Sequence, residues 1–315
     1  MAARSSLASA AAIQRKVLLA GANSPRLASL VSRYGMRLGA GRFVAGETLD
    51  DCVRALREIN DKGMRANTTL LGEGVRDRAT AEAVTAEYET IARRIHAEGL
   101  QAYVSIKPTH LGLNVDEELT YENVARLVTV AGELGNFVRM DMEDSPFTDA
   151  TLRMYRRLRA DGHDNTGTVL QANLRRTADD LRSLLPLRPN LRLVKGAYLE
   201  PPAIAYEHKR EVDENYLRLL ETSLSEGGFT AVATHNEGVI EHVIEFTRAR
   251  GIGNDRFEFQ MLHGIRSHLQ EDLARRGYAV LVSAPFGRDW YPYLMRRIAE
   301  RPANVLFFAK NLLRR

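Results

Sequence analysis

Short apolar runs alternate along the chain with longer stretches whose apolar residues recur every three or four positions. The runs are NTTLLGE (67–73), QAYVSIKPT (101–109), FVRMDMED (137–144) and GTVLQAN (167–173), then LRLVKGAY (191–198), FTAVATHN (229–236), FEFQMLHG (257–264) and YAVLVSAPFG (278–287). Each is brief, apolar and closed by polar residues or glycine, the pattern of a buried strand. Stretches between them, such as AEAVTAEYETIARRIHAEG and VDENYLRLLETSLSEGG, read as amphipathic helices. Strands alternating with helices imply right-handed βαβ units and a parallel sheet. Eight such units in roughly 250 residues predict an α/β fold of the (β/α)8 barrel class. Residues 61–315 would form the barrel, and 1–60 a prelude of additional N-terminal helices on its outside or across its bottom. The alternative, an open doubly wound sheet, usually carries G-x-G-x-x-G after its first strand. GAGRFV and GEGVRD begin that pattern and lack its third glycine.

Composition narrows the function classes. The net charge is +4, and only six lysines are present: Lys16, Lys62, Lys107, Lys195, Lys209 and Lys310. Basic residues are scattered with no run of five or more, so nucleic acid is not an expected partner. The single cysteine, Cys52, excludes a disulfide within the chain and reads as a buried structural residue. No uninterrupted apolar run is long enough to span a bilayer. The first acidic residue is Glu47, and the opening MAARSSLASAAAIQRK has the Arg-, Ser- and Ala-rich composition of a transit peptide. The apolar spacing in RLASLVSRYGMRLGA favours an ordinary basic helical prelude instead.

A barrel collects its chemistry at the C-terminal strand ends. Those ends offer Glu73, Lys107, Asp141, Gln171, Lys195 with Gly196, Ala197 and Tyr198, then Thr234, His235 and Asn236, Gln260 and His263, and Ser283. Arg192 stands inside an apolar strand, where an unpaired charge would cost several kcal/mol (~3–5). In YPYLMRRIAERPAN, Tyr293, Arg296, Arg297 and Glu300 share one helix face. The ring is poor in carboxylates for a divalent metal, HExxH and G-x-S-x-G are absent, and His263 and His268 stand five apart, the wrong relation for two ligands on a helix. What remains is a cavity of amide, hydroxyl and cationic donors. It suits a large anionic cofactor, plus a small carboxylate held by Lys107 and the Arg296/Arg297 fork. A Schiff-base lyase with Lys195 as nucleophile is the rival enzyme, and a non-catalytic anion binder the rival outside enzymes.

RFVAGET, RLVKGAY, ATHN, EFQMLHG and APFGRDWYPYLMRR, in this order from about residue 40 onward, together resemble the compact monofunctional form of the proline dehydrogenase family. The resemblance implies a distorted (β/α)8 barrel holding FAD non-covalently, and oxidation of L-proline to 1-pyrroline-5-carboxylate by hydride transfer to the flavin. It implies electrons passed to a membrane quinone, and so peripheral contact with the inner membrane from the cytoplasm, or from the mitochondrial matrix if the opening is a transit peptide. A downstream pyrroline-5-carboxylate dehydrogenase is an implied partner. By similarity, Arg296, Arg297 and Lys107 clamp the substrate carboxylate, while Tyr198, Tyr293, Leu262 and Ser283 shape the ring slot. Asp141 orders the site and fixes Lys107, and Arg192 lies near flavin N5. Glu73, in the glycine-flanked loop LLGEGVRD, is expected from its place to act as a gate that pairs with Arg296 when substrate is bound. Met142, Gln171, Arg192, Lys195, Gly196, Ala197, Lys209, Thr234, His235, Asn236, Gln260 and Glu300 would hold the cofactor. Ser283 departs from the family, much of which has tyrosine there, and this puts strict preference for proline over 4-hydroxyproline in doubt.

Overall fold

The computed structural model describes residues 40–300. The expected helices before residue 40, and the transit-like opening with them, lie outside the described residues. A helix over Leu49–Asp61 (α1) leads into the barrel. Thr48 starts it with a capping box: its Oγ1 accepts from the Asp51 amide at 3.2 Å while the Asp51 carboxylate accepts from the Thr48 amide at 3.1 Å. Cys52, Val53, Leu56 and Ile59 form its buried stripe. Cys52 is buried as expected, with Sγ 3.2 Å from Thr68 Oγ1.

Eight parallel strands then close in sequence order into a barrel. They are β1 Arg65–Thr68, β2 Ala102–Ile106, β3 Val138–Met140, β4 Thr166–Gln171, β5 Asn190–Val194, β6 Phe229–Ala233, β7 Phe257–Leu262 and β8 Val280–Ser283. The seam joins β1 to β8 with Asn67 opposite Ser283. The helices after the strands are α2 Arg78–Ala97, α3 Glu117–Glu133, α4 Thr148–Ala160, α5 Thr177–Leu184, α6 Lys209–Glu226, α7 Glu237–Ala249, α8 Ser267–Arg275 and α9 Trp290–Glu300. Outward strand residues such as Val104, Ile106, Met140, Leu193, Val232 and Phe259 pack against helix residues such as Tyr88, Ile91, Leu127, Tyr155 and Ile244. At ~25 cal/mol per Å² this apolar layer is the main stabilising term. Among the described residues no helix is long and apolar enough to cross a membrane.

The strand ladders are shorter than the apolar runs suggest. The first run was expected over 67–73, yet β1 spans Arg65–Thr68, with only the isolated Leu70–Phe286 bridge beyond it. β3 stops at Met140 and β5 at Val194. The polar residues that close each run turn out of the ladder, so Glu73, Asp141 and Lys195 stand at or just beyond the strand tips rather than within them.

The inward face is also unusual. Barrel interiors are commonly filled by branched aliphatic residues. Here Asn67, Ser105, Arg139, Arg192, Glu258 and Gln260 are buried inward-facing residues. Several of their hydrogen bonds, such as Arg192 to Gln260 and to Ser105, Arg139 to Asn190 and Arg65 to Glu258, run across the lumen between strands that are not neighbours.

The segment before α1 fixes the far end of the chain's path. Phe43, Val44 and Ala45 are buried. The Ala45 amide donates to Pro285 O at 2.7 Å, and the Gly287 amide to Gly46 O at 3.1 Å. Trp290, fully buried at the start of α9, donates its indole N–H to Glu47 Oε1 at 2.7 Å. Residues 43–47 thereby dock the β8–α9 turn and orient the helix that carries Arg296 and Arg297.

Candidate active site

At the mouth formed by the C-terminal strand ends, Glu73 lies between two cations. Arg296 Nη1 is 3.0 Å from its Oε1, and the Lys107 ammonium contacts its Oε2. Burial alone would raise the Glu73 carboxyl, but Lys107 and Arg296 outweigh it and hold the pKa down at about 2. Arg297 lies one residue on, its guanidinium 5.2 Å from the centre of the Tyr293 ring. Of the helix face read from the sequence, Arg296 meets Glu73 and Arg297 meets Tyr293, so two cations, Lys107 and Arg296, flank one internal carboxylate. Tyr198 reaches the same region: burial raises its phenol, and Glu143, Glu73 and Arg296 lie close enough to act on it.

Beneath the mouth, Arg192 is 9% exposed. Its Nη1 donates to Asp141 Oδ1 at 2.6 Å, its Nη2 to Ser105 Oγ at 3.2 Å and its Nε to Gln260 Oε1 at 2.5 Å. Burial would lower the guanidinium pKa, but Asp141 and Tyr103 reverse the sign and raise it. Arg192 stays charged because it is paired, as a charge inside a strand demands. Asp141 was expected to fix Lys107. It is instead the partner of Arg192, and Lys107 belongs to Glu73, because Asp141 sits beside β3 facing β5 across the lumen.

Around the β5 tip, Lys195 and Lys209 share the Asp213 carboxylate. Two ammoniums on one carboxylate leave a surplus positive charge. Lys195 also stands 5.7 Å from the centre of the Tyr216 ring. The Lys195 side chain is engaged with Asp213 rather than aimed freely into the mouth, which weighs against the lyase reading. Gly196 has φ +103°, and a Cβ there would come within 2.1 Å of Asn173 Oδ1, a buried oxygen with no hydrogen-bond partner. Gln171 donates its amide to Glu143 O at 2.8 Å, next to buried Met142. Ala197, which follows Gly196, is exposed.

Three residues expected on the cofactor also have local structural bonds. Thr234 Oγ1 accepts from the Asn236 amide at 3.1 Å, and Asn236 caps α7 by accepting from the Gly238 amide at 2.9 Å. His235 Nε2 accepts from the Leu262 amide at 2.9 Å, which puts a neutral ring's proton on Nδ1. Ser283 pairs in register with Leu262, so both share one sector of the mouth. Glu300 ends α9, and its side chain lies outside the described residues.

Several interior residues were not read from the sequence. Glu143 is buried and accepts from the Thr109 amide and hydroxyl at 2.9 and 2.6 Å, with burial raising its pKa. Arg139, 1% exposed, donates to the carbonyls of Thr168 and Asn190, to Asn190 Oδ1 and to Tyr103 OH. A lone arginine in an apolar run was the available signal, the same one that singled out Arg192.

The proline dehydrogenase family model matches residues 52–310. The chain belongs to that family. It is 43% identical over 306 residues to "Proline dehydrogenase" of Deinococcus radiodurans, a match covering 96% of this chain and 98% of that one. It is 39% identical over 301 residues to "Proline dehydrogenase 1" of Bacillus subtilis strain 168, covering 96% and 99%. Among solved structures, proline utilization A from Bdellovibrio bacteriovorus superposes with a TM-score of 0.80 at 22% identity, over 86% of this chain and 33% of that one. The counterpart from Corynebacterium freiburgense gives 0.74 at 24%, over 94% and 34%. These two share the barrel fold, and this chain spans about a third of their length. Membership makes the chain an enzyme, an oxidoreductase of the proline dehydrogenase type.

Proposed function

We propose that the chain oxidises L-proline to 1-pyrroline-5-carboxylate with non-covalent FAD and a quinone as the electron acceptor. The observation that carries this reading is the Glu73-bridged pair of Lys107 and Arg296, with Arg297 next along the helix, above the paired, buried Arg192. Two cations on one internal carboxylate leave a net positive charge at the mouth, the complement of a small substrate carboxylate. Lys107 and the Arg296/Arg297 fork take that carboxylate. Tyr198, Tyr293, Leu262 and Ser283 bound the ring, and Glu73 closes the mouth by holding Arg296 across it.

The donor set also fits a flavin dinucleotide. Gly196 makes room for the Asn173 side chain, whose Oδ1 offers a buried acceptor, and the Lys195/Lys209 surplus suits a pyrophosphate. Gln171, Met142, Ala197, Thr234, His235, Asn236, Gln260 and Glu300 complete the proposed cofactor contacts. Bound FAD would supply the acceptor for the hydride that the proline ring loses. Arg192, held by Asp141, would place a fixed positive charge beside that acceptor and would favour its reduced, anionic form. The chain's own contribution is to aim one C–H bond, which positioning delivers. Electron passage to a membrane quinone implies peripheral membrane contact.

The visible spectrum of the purified protein tests this. Flavin absorption bands that bleach on anaerobic addition of proline support it. A colourless protein, or bands unmoved by proline, overturns it.

A further inference from the structure

Glu258 stands on β7 two residues before Gln260, on the same inward face, and is 2% exposed. It accepts from Gln260 Nε2 at 2.6 Å and from Arg65 Nη2 at 2.5 Å. Gln260 turns its other end, Oε1, to Arg192 Nε. Arg65 and Tyr103 line a cleft of about 450 Å³ at the opposite, N-terminal mouth. An unbroken series of polar contacts thus links that mouth to the paired arginine beneath the candidate active site.

A primary amide can be turned end for end at little steric cost, so something must choose its orientation. A guanidinium only donates and a carboxylate only accepts. With Glu258 on one side and Arg192 on the other, a single orientation satisfies both neighbours. The reverse sets oxygen against oxygen at Glu258 and N–H against N–H at Arg192. Tyr103 OH, 3.1 Å from Gln260 Nε2, can donate or accept and does not decide the matter. Leaving a buried donor unsatisfied is costly, so the preference transmits to Arg192.

We propose that Glu258 is a positioning residue for Arg192, acting by fixing the orientation of the Gln260 amide. The proposal deepens the flavin reading and rests on it for its consequence at the cofactor; the orientation itself is a property of the chain. Glu258→Gln keeps the volume and lets the Gln260 amide turn. Arg65→Met keeps the Glu258 carboxylate and its bond to Gln260.

The test is a double-mutant cycle of Glu258→Gln and Gln260→Leu, with two readouts. The first is hydrogen exchange at Arg192 Nε–H in the ¹⁵N-labelled protein without added flavin, assigned by its loss in Arg192→Lys. The second is the dissociation constant for FAD, from quenching of its fluorescence. Glu258→Gln is expected to speed exchange and weaken FAD each by about tenfold, the scale of one charge-assisted hydrogen bond. It should add nothing further in the Gln260→Leu background, and Arg65→Met should leave both readouts near wild type. Should Glu258→Gln fail to fold, Glu258→Asp, which draws the carboxylate back from Gln260, must move exchange in the same direction. Unchanged exchange, full additivity in the cycle, or an equal effect from Arg65→Met overturns the proposal. If exchange responds as stated while the wild type binds no FAD, the flavin reading falls and the positioning role stands.

Discussion

Arg296 lays both of its Nη atoms on the carboxylate of Glu73, at 3.0 and 3.4 Å. The contact joins the loop after β1 to the last turns of α9, across the mouth of the barrel. Glu73→Ala should therefore let Lys107 and Arg296 repel one another and splay. Proline binding is expected to weaken severalfold while flavin content stays intact. Titration of proline against flavin absorbance checks both, and equal affinity in variant and wild type counts against the gate.

The same carboxylate predicts a pH dependence. Its pKa lies at about 2, below the ordinary 4.5, so its contribution to stability is present above about 4.5 and lost as pH falls toward 2. The difference in Tm between wild type and Glu73→Gln should be largest near neutrality and shrink steadily below pH 4.5. A difference independent of pH would mean that the ion pairs do not stabilise the fold.

Arg296→Met and Arg297→Met should each raise the KM for proline much more than they disturb cofactor content. A charge-assisted hydrogen bond contributes ~1.5–3 kcal/mol, about ten- to hundredfold in binding. Steady-state kinetics beside the flavin-to-protein absorbance ratio decides it; near-normal KM in both variants removes the clamp.

Arg192→Leu removes the cation held by Asp141. If Arg192 faces the flavin as proposed, the midpoint potential is expected to shift negative and the rate of flavin reduction by proline to fall, because the reduced anion would lose a positive charge. Spectroelectrochemistry and anaerobic stopped flow read the two effects. An unchanged potential together with an unchanged rate contradicts the assigned role.

Ser283→Tyr tests the ring slot. A tyrosine there would add roughly 100 Å² of apolar surface, worth at most about 2.5 kcal/mol at ~25 cal/mol per Å². Room alone discriminates poorly against an added hydroxyl, so the wild-type preference for proline over 4-hydroxyproline should be modest. The ratio of kcat/KM values for the two substrates should rise clearly in the variant. A flat or falling ratio places Ser283 outside the ring pocket.

The barrel was legible because each strand is a short apolar run flanked by helices of matching amphipathic period. The helix face of Tyr293, Arg296 and Arg297 was legible for the same local reason, since spacing along α9 decides which side chains meet. Arg192 stood out as a charge that must have a partner. Which partner it has was not legible: Asp141 follows β3 and Gln260 lies on β7, and only closure of the barrel brings them to β5. Arg139 and Glu258 carried the same signal, a charge within an apolar run, and went unread beside it. Strand ends were overrun because polar residues that leave the ladder still alternate as though they were in it. Asp213 was missed because its meeting with Lys195 is set by how α6 packs on β5.

The bond between Glu47 and Trp290 sets how far the protein can be trimmed from its beginning. Tolerance to truncation follows burial and hydrogen bonding of the segment removed, not its distance from the catalytic groups. A minimal enzyme that began after residue 47 would keep every strand and every proposed contact residue. It would lose the indole's acceptor and the two backbone bonds at Pro285 and Gly46, and α9 would be left to find its own angle. Five residues that touch no substrate would then be the difference between a barrel that folds and a barrel that grips.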